Sequence, residues 1–223
     1  MILITRPLAQ TANLKMLLEA SDIEYVFFPT FEVKKISSEV LKQHYDVIIF
    51  ISVNAVSFAE DYFNKIFTGV HKVFAVGPIT AKRLIDKDIK VDCFPKFNAS
   101  SMELLAMQEC SELIDKRILI VRGKGGSETL KDNLGKFNQV DYLEVYERVP
   151  CEFSSLHATS IKVFLDSTNG VLMAGSNDSL YNIVRLLNLD SSDTFNKFKT
   201  KKLIVFSQKI KVLAESLGFE NIK

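Results

Sequence analysis

Hydrophobic residues in this chain come in short blocks, separated by stretches in which they recur every three or four positions. The blocks are Ile2–Thr5, Tyr25–Phe28, Val47–Ile51, Lys72–Val76, Val91–Phe94, Ile118–Val121, Gln139–Val145, Val171–Ala174 and Leu203–Phe206. Most are continuous rather than alternating, which is how strands buried on both faces of a parallel sheet read. Helical spacing fills the intervals. Leu8–Ala20 carries Ala12, Leu14, Leu17 and Leu18 on one face, and Asn54–Phe67, Ile79–Asp86, Ser101–Gln108, Ser127–Phe137, Ser179–Leu187 and Lys209–Leu217 are similar. Several of these begin at Ser, Thr, Asn or Pro, which suit a helix cap or first turn. Strand–helix alternation of this kind predicts an α/β fold with parallel sheets, flavodoxin-like in character.

Two segments depart from that pattern. Phe31–Ile36 and Leu143–Val149 alternate apolar and polar residues, as a ribbon exposed on one side does. Each stands at the same place in a longer repeat. Ile2-Leu-Ile-Thr-Arg6 returns as Ile118-Leu-Ile-Val-Arg122, and Ile23-Glu-Tyr25-Val as Val140-Asp-Tyr142-Leu. Phe50-Ile-Ser52-Val-Asn54 is echoed by Met173-Ala-Gly-Ser176-Asn177, and Val73-Phe-Ala-Val76-Gly77 by Leu203-Ile-Val-Phe206-Ser207. Such a repeat predicts two similar lobes, with a ligand in a cleft between them. The repeat alone suggests a cut near residue 115. The second copy ends at Asn221-Ile-Lys223, where its counterpart of Val91–Phe94 is expected to begin, so a final strand and helix are expected to be missing.

Composition narrows the class. At 223 residues and 47% apolar, the chain can build one large domain or two of ordinary size. No basic segment with an apolar stretch opens it, so no signal peptide is expected. No apolar run approaches the roughly 18–20 residues that span a bilayer. Cys93, Cys110 and Cys151 are odd in number and far apart, which fits a reducing cytoplasm better than a disulfide framework. His44, His71 and His157 are also scattered, and nothing has the spacing of metal ligands. A net charge of +1 with interleaved signs gives no field for nucleic acid. An anionic ligand would need local bases.

In parallel sheets, ligands bind at the turns that follow the strands. Helix starts there offer free backbone N–H groups. Ser52–Asn54, Gly77–Thr80, Arg122–Gly126, Ser176–Ser179 and Ser207–Lys209 are such turns, with Arg6, Lys82, Lys124 and Arg148 nearby. This is a distributed pattern for carboxylates or phosphates, although each Ser, Thr or Asn could equally cap its helix and nothing more. Gly123-Lys124-Gly125-Gly126-Ser127 is neither a phosphate loop of the GxxxxGK[ST] type nor a GxGxxG dinucleotide turn. Tyr146 stands out because a spacer ribbon needs no phenol. The alternative is a half-buried strand tyrosine.

Assembled in order, these segments resemble the uroporphyrinogen-III synthase family of haem biosynthesis. The resemblance rests on Ile2–Pro7, Asp46–Val56, Ala75–Ala81, Ser100–Leu105, Ile118–Gly123, Leu143–Arg148 and Ala214–Phe219, which together run over nearly the whole chain. It implies two flavodoxin-like lobes with parallel sheets, joined by a two-stranded β ribbon. Residues 1–31 and 151–223 would form one lobe, 38–144 the other, and 32–37 with 145–150 the ribbon. It implies a cofactor-independent, metal-free lyase that dehydrates and cyclises hydroxymethylbilane, inverting the last pyrrole ring. Tyr146 takes the place of the ribbon tyrosine assigned near the departing hydroxyl. Thr80 matches the binding threonine of the glycine loop that opens at Gly77, and Ser52 and Asn54 match the first serine turn. Arg6, Arg122 and Lys124 are the bases expected to line the cleft. The expected partner is the small-molecule substrate, with no nucleic acid and no membrane, acting on a monomer that meets the preceding pathway enzyme transiently.

Two departures bear on the second copy. The family's second glycine loop reads near Gly-x-Thr-Ala, whereas this chain has Ser207-Gln-Lys209-Ile. The second serine turn is displaced, with Gly175 or Ser176 as its counterpart. These changes leave room for a non-catalytic two-lobed binding or regulatory module of the same fold.

Overall fold

The computed structural model describes residues 1–41, 44–69 and 72–223, so His71 lies outside the described residues. In chain order the elements are β1 (Ile2–Ile4), α1 (Ala12–Ala20), β2 (Tyr25–Phe27), β3 (Phe31–Lys35), β4 (Val47–Phe50), α2 (Val53–Phe58), α3 (Phe63–Ile66) and β5 (Lys72–Ala75). Then come α4 (Pro78–Ile85), α5 (Ser101–Ala106), α6 (Gln108–Ser111), β6 (Arg117–Gly123), α7 (Thr129–Leu134) and β7 (Gln139–Pro150). The chain ends with α8 (Ser155–Asp166), β8 (Val171–Ala174), α9 (Asn177–Asp190), α10 (Ser192–Lys199), β9 (Lys202–Val205) and α11 (Gln208–Ser216). These form two compact units, Met1–Val33 with Val149–Lys223, and Lys34–Arg148.

The first unit carries a parallel sheet in the order β2-β1-β8-β9. Ile222 adds a parallel bridge to Leu203 at the β9 edge. Numbered along the chain, this is the order 2-1-3-4-5 of flavodoxin-like sheets. Leu3, Leu172, Ala174 and Leu203 form its core with Leu180, Ile183 and Leu187 of α9 and Phe164 of α8. Residues 221–223 therefore contribute a single bridge at the place of the expected strand. Leu203 N–H donates to Asn221 O at 2.8 Å and Val205 N–H to Lys223 O at 3.0 Å.

The second unit's sheet runs β3-β7-β6-β4-β5, with β7, β6, β4 and β5 parallel. Cys93 bridges Phe74 at the β5 edge. Its spatial pattern repeats that of the first unit, with β7, β6, β4 and β5 standing where β2, β1, β8 and β9 stand. Only the order in which the chain visits them differs. All of β4 is buried. Val47 and Ile49 pack with Ile118 and Ile120 against α5, α6 and α7. On the other face, Phe50 meets Phe63 and Phe67 at centroid distances of 6.3 and 6.2 Å. Such two-sided burial is why the strands read as continuous apolar blocks. β3 pairs with β7, the two alternating segments of the sequence.

Several expectations needed correction. Val91–Phe94 contributes a single bridge rather than a strand. Asn54–Phe67 is broken by a 3-10 turn at Glu60–Tyr62, where Glu60 pairs with Arg83 of α4 and Lys87 of the turn after it. Ser101–Gln108 breaks at Met107, whose backbone is extended. Of the predicted face of Leu8–Ala20, only Leu18 is buried. Two helices, α8 and α10, were not anticipated. On α8 the buried face includes His157 and Ser160, so the apolar period is interrupted. Both polar groups are satisfied: Ser160 Oγ donates to Phe27 O at 2.6 Å, and His157 Nε2 lies 2.9 Å from Pro29 O. Among the described residues no helix is long and apolar enough to cross a membrane.

Candidate active site

The carboxyl edge of the second sheet brings two sequence-predicted positions, Ser52 and Tyr146, into contact. Ser52 ends β4 and caps α2, its Oγ accepting Ala55 N–H at 3.1 Å. The same Oγ lies 3.1 Å from Tyr146 Oη. Tyr146 is brought there by a bulge. Along β6 and β7, Arg122 pairs with Glu144 but Gly123 pairs with Tyr146, so Val145 is skipped. The skip places two consecutive buried residues on β7 and turns Tyr146, 6% exposed, inward. Its ring lies against Gly123, where a Cβ would come within 2.4 Å of Cε2, and Phe58 sits 5.8 Å away on another side. Gly123 was not picked out as a site residue. A glycine at a strand end is a signal that could have pointed to it, but the bulge that makes it necessary has no signature in sequence.

The neighbouring turn begins at Gly77, which caps α4 with Pro78 in the first helical position. Its φ is extended, so backbone freedom is not the reason for glycine. Space is: a Cβ would fall 2.3 Å from that of Ala99. Thr80, in the first turn of α4, is 7% exposed, and its hydroxyl makes no hydrogen bond among the described residues. That leaves a sheltered donor and acceptor for a ligand. Asn54 is half-buried in the first turn of α2. Ile79, Met102 and Phe97, the last 93% exposed, lie close in sequence to the Gly77–Ala99 contact.

Arg122 differs from expectation. It is 1% exposed rather than presented as a free base. Nε donates to Gly123 O at 3.1 Å, and Nη1 to Ser127 O at 3.3 Å and Glu128 Oε1 at 3.0 Å. Glu144 stands 3.8 Å from Nε, and the Tyr142 ring 4.2 Å below the guanidinium. Nη2 is buried without a hydrogen-bond partner among the described residues, and a side chain at Gly126 would meet it at 2.8 Å. Arg122 therefore ties the 123–128 loop to the strand end. Tyr142, donating to Glu128 Oε2 at 2.8 Å, has its phenol pushed up to about 12 by burial and then by that carboxylate. The hydrogen bond from Tyr142, followed by the pull of Arg122, holds Glu128 below its ordinary value. Lys124 remains exposed, 3.9 Å from Glu147.

In the first unit the corresponding turns are more open. Arg6 follows β1, is exposed, and makes no ion pair among the described residues. Thr5 Oγ1 donates across to Met173 O at 3.1 Å. Ser176 caps α9 through Ser179 N–H at 3.1 Å, and Ser207 caps α11 through Ile210 N–H at 3.3 Å. By register Ile2 pairs with Val171 as Ile118 pairs with Val47, so Ser176, not Gly175, is the counterpart of Ser52. Among the described residues no group of His, Cys, Asp or Glu could hold a metal ion.

A family model described as uroporphyrinogen-III synthase HemD matches residues 12–223. The chain belongs to the uroporphyrinogen-III synthase family. Family members work in tetrapyrrole biosynthesis. A uroporphyrinogen-III synthase of Escherichia coli strain K12 is 25% identical over 182 residues, covering 80% of this chain and 72% of that one. One from Proteus mirabilis is 28% identical over 114 residues, 49% of this chain and 57% of its own length. One from Chlorobaculum parvum is 28% identical over 160 residues, 67% and 64% respectively. The matched stretches thus span from 57% to 72% of these relatives. The crystal structure of uroporphyrinogen-III synthetase from Helicobacter pylori 26695 superposes with a TM-score of 0.61 at 14% identity, covering 99% of this chain and 91% of that one. A mutant synthase from the extreme thermophile Thermus thermophilus gives 0.53 at 14% identity, covering 100% and 91%. At that identity the likeness speaks for the fold. Within the synthase fold of this chain, Tyr146, Ser52 and Thr80 all fall at the carboxyl edge of one sheet.

Proposed function

We propose that this chain dehydrates and cyclises hydroxymethylbilane to uroporphyrinogen III, with inversion of the last pyrrole ring, as a cofactor-independent carbon–oxygen lyase. The hydroxymethyl C–O bond breaks, the hydroxyl leaves as water with a donated proton, and the ring-closing carbon gives up its own. No electrons are exchanged. The bilane closes without inversion on its own, so the catalyst has to control geometry more than reactivity. Membership in the family supports this reading, and the observation that carries it is the phenol of Tyr146, held against Ser52 in a slot opened by Gly123. Tyr146 donates to the departing hydroxyl, where a fixed neutral donor acts mainly on the transition state.

Binding divides between charge and shape. Arg6, Lys124, the Thr80 hydroxyl and the N–H groups at the starts of α4, α9 and α11 hold carboxylates, with Asn54, Gly77, Ser176 and Ser207 shaping those turns. Exposed Ile79, Phe97 and Met102 meet pyrrole faces. Arg122 acts one step back, by fixing the loop that carries Lys124. The three cysteines are buried, which suits a reducing cytoplasm. Because the bilane closes unaided, a monomer that meets the preceding pathway enzyme transiently would lose less of it. The test is incubation with hydroxymethylbilane, oxidation and chromatography of the porphyrin isomers. Type III product is expected. Type I alone would leave a non-catalytic binding module.

A further inference from the structure

Ser52 and Tyr146 share one hydrogen bond, and the surroundings of each atom restrict how that bond can be used. Ser52 Oγ already accepts Ala55 N–H at 3.1 Å. Its single proton has one acceptor among the described residues, Tyr146 Oη at 3.1 Å. Tyr146 Oη has no other protein partner there. Two arrangements satisfy the pair. If the phenol donates to Ser52, its proton is spent inside the protein. If Ser52 donates to the phenol oxygen, the phenol O–H is left to point away from Ser52. The N–H bond into Ser52 favours the second arrangement, because accepting a hydrogen bond makes a hydroxyl a better donor. The ring has little freedom to respond otherwise. Gly123 lies against one edge, Phe58 packs beside it, and the bulge at Val145 fixes its backbone.

We infer that Ser52 is a positioning residue for the reaction: it donates its hydroxyl hydrogen bond to Tyr146 Oη, holds the phenol proton outward, and does not itself hold the substrate. This rests on the reading of Tyr146 as the donor to the departing hydroxyl. It also gives Ser52 a second task beyond capping α2. As the phenol gives up its proton, negative charge grows on Oη, and a donor already in place there stabilises that charge without rearrangement.

The two tasks of Ser52 can be separated. Glycine at a helix cap costs only a few tenths of a kcal/mol relative to serine, so Ser52→Gly removes the hydroxyl while leaving α2 in place. Melting curves should confirm this. With hydroxymethylbilane as substrate, Ser52→Gly is expected to lower kcat about tenfold with KM within about twofold of wild type. Ser52→Thr, which keeps a hydroxyl, should restore kcat to within about twofold. In a Tyr146→Phe background, Ser52→Gly should cost nothing further, because the group it serves is gone. Losses that multiply in the double variant would overturn the inference, as would a KM rise at constant kcat, which would make Ser52 a direct substrate contact. Wild-type turnover in Tyr146→Phe alone would instead overturn the assignment of Tyr146, a separate result read from the same four proteins.

Discussion

Arg6 and Arg122 stand at the same step of two matching sheets, yet one is exposed and unpaired among the described residues and the other is enclosed. Arg6 follows β1, and Arg122 is the penultimate residue of β6. What differs is the company. Arg122 meets Tyr142 and Glu144 from the adjacent strand and Glu128 from the loop beyond. In the first unit the register pairs Ile4 with Phe27, and its continuation sets Pro29 beside Arg6. Six residues past Arg6 stands Ala12 where Glu128 follows Arg122. None of the three can accept a hydrogen bond through its side chain. A duplicated backbone delivers an arginine to the same address twice, and the neighbours decide whether its charge is spent within the protein or left for a ligand. Ser52 and Ser176 make the same point. Both are extended caps at φ −164° and −157°, but only Ser52 has a tyrosine hydroxyl of its own unit within hydrogen-bond reach among the described residues.

The sharpest way to break this contrast is to truncate both arginines. Arg122→Ala leaves two acidic groups without their cation and opens space under the glycine loop. The carboxylates are partly solvated, 55% and 33% exposed, so the loss is smaller than for a fully buried pair. About 2–3 kcal/mol of stability is expected, read by denaturant melts. Arg6→Ala should change stability by less than about 0.5 kcal/mol. It should weaken product affinity about tenfold at low salt and flatten the salt dependence of that affinity. Equal stability losses in the two variants would erase the distinction.

A second pair of variants concerns glycine. An alanine side chain at Gly123 would sit 2.4 and 2.5 Å from two carbons of the Tyr146 ring, whereas at Gly175 the nearest atom is Phe206 Cδ2 at 3.9 Å. Gly123→Ala is expected to displace the phenol and cost about 1–3 kcal/mol of stability. Turnover should fall about 10²-fold, the penalty of roughly an ångström of misplacement. Gly175→Ala should melt at or slightly above the wild-type temperature. A fully active Gly123→Ala would mean that the position of the ring is not critical.

Sequence made the strands and the duplication legible because the central ones, such as β4 and β6, are buried on both faces, so their apolar runs need no context. α8 was hidden because His157 and Ser160 sit on its buried face, bonded to carbonyls that only the folded chain supplies. The echo of Tyr25 in Tyr142 was misleading. Register pairs Ile2 with Tyr25 but Ile118 with Val140, so Tyr142 corresponds to Phe27. Arg122 looked as available as Arg6 because its enclosure by Tyr142, Glu144 and Glu128 exists only once β6, β7 and the following loop are assembled. Ser52, Gly77 and Thr80 were legible as turn residues because capping chemistry is local. The bulge that brings Tyr146 to Ser52 was not, since it depends on how β6 and β7 register.

The smallest expected effect concerns pH and isolates one arm of the Arg122 enclosure. Glu128 is held below its ordinary 4.5, first by the Tyr142 hydrogen bond and then by Arg122. A carboxylate depressed in the fold contributes stability that is present above its unfolded value and lost as pH falls through that value towards the folded one. Glu128→Gln keeps the shape and removes the titration. The variant should therefore melt below wild type at neutral pH, and the gap should close as pH falls through and below the ordinary carboxylate range. The first unit has no equivalent group, because Ala12 stands at the matching position. A gap for Glu128→Gln that stays constant down to acid pH would mean that the side chain matters for packing rather than charge, and the enclosure of Arg122 would then rest on Glu144 and the Tyr142 ring.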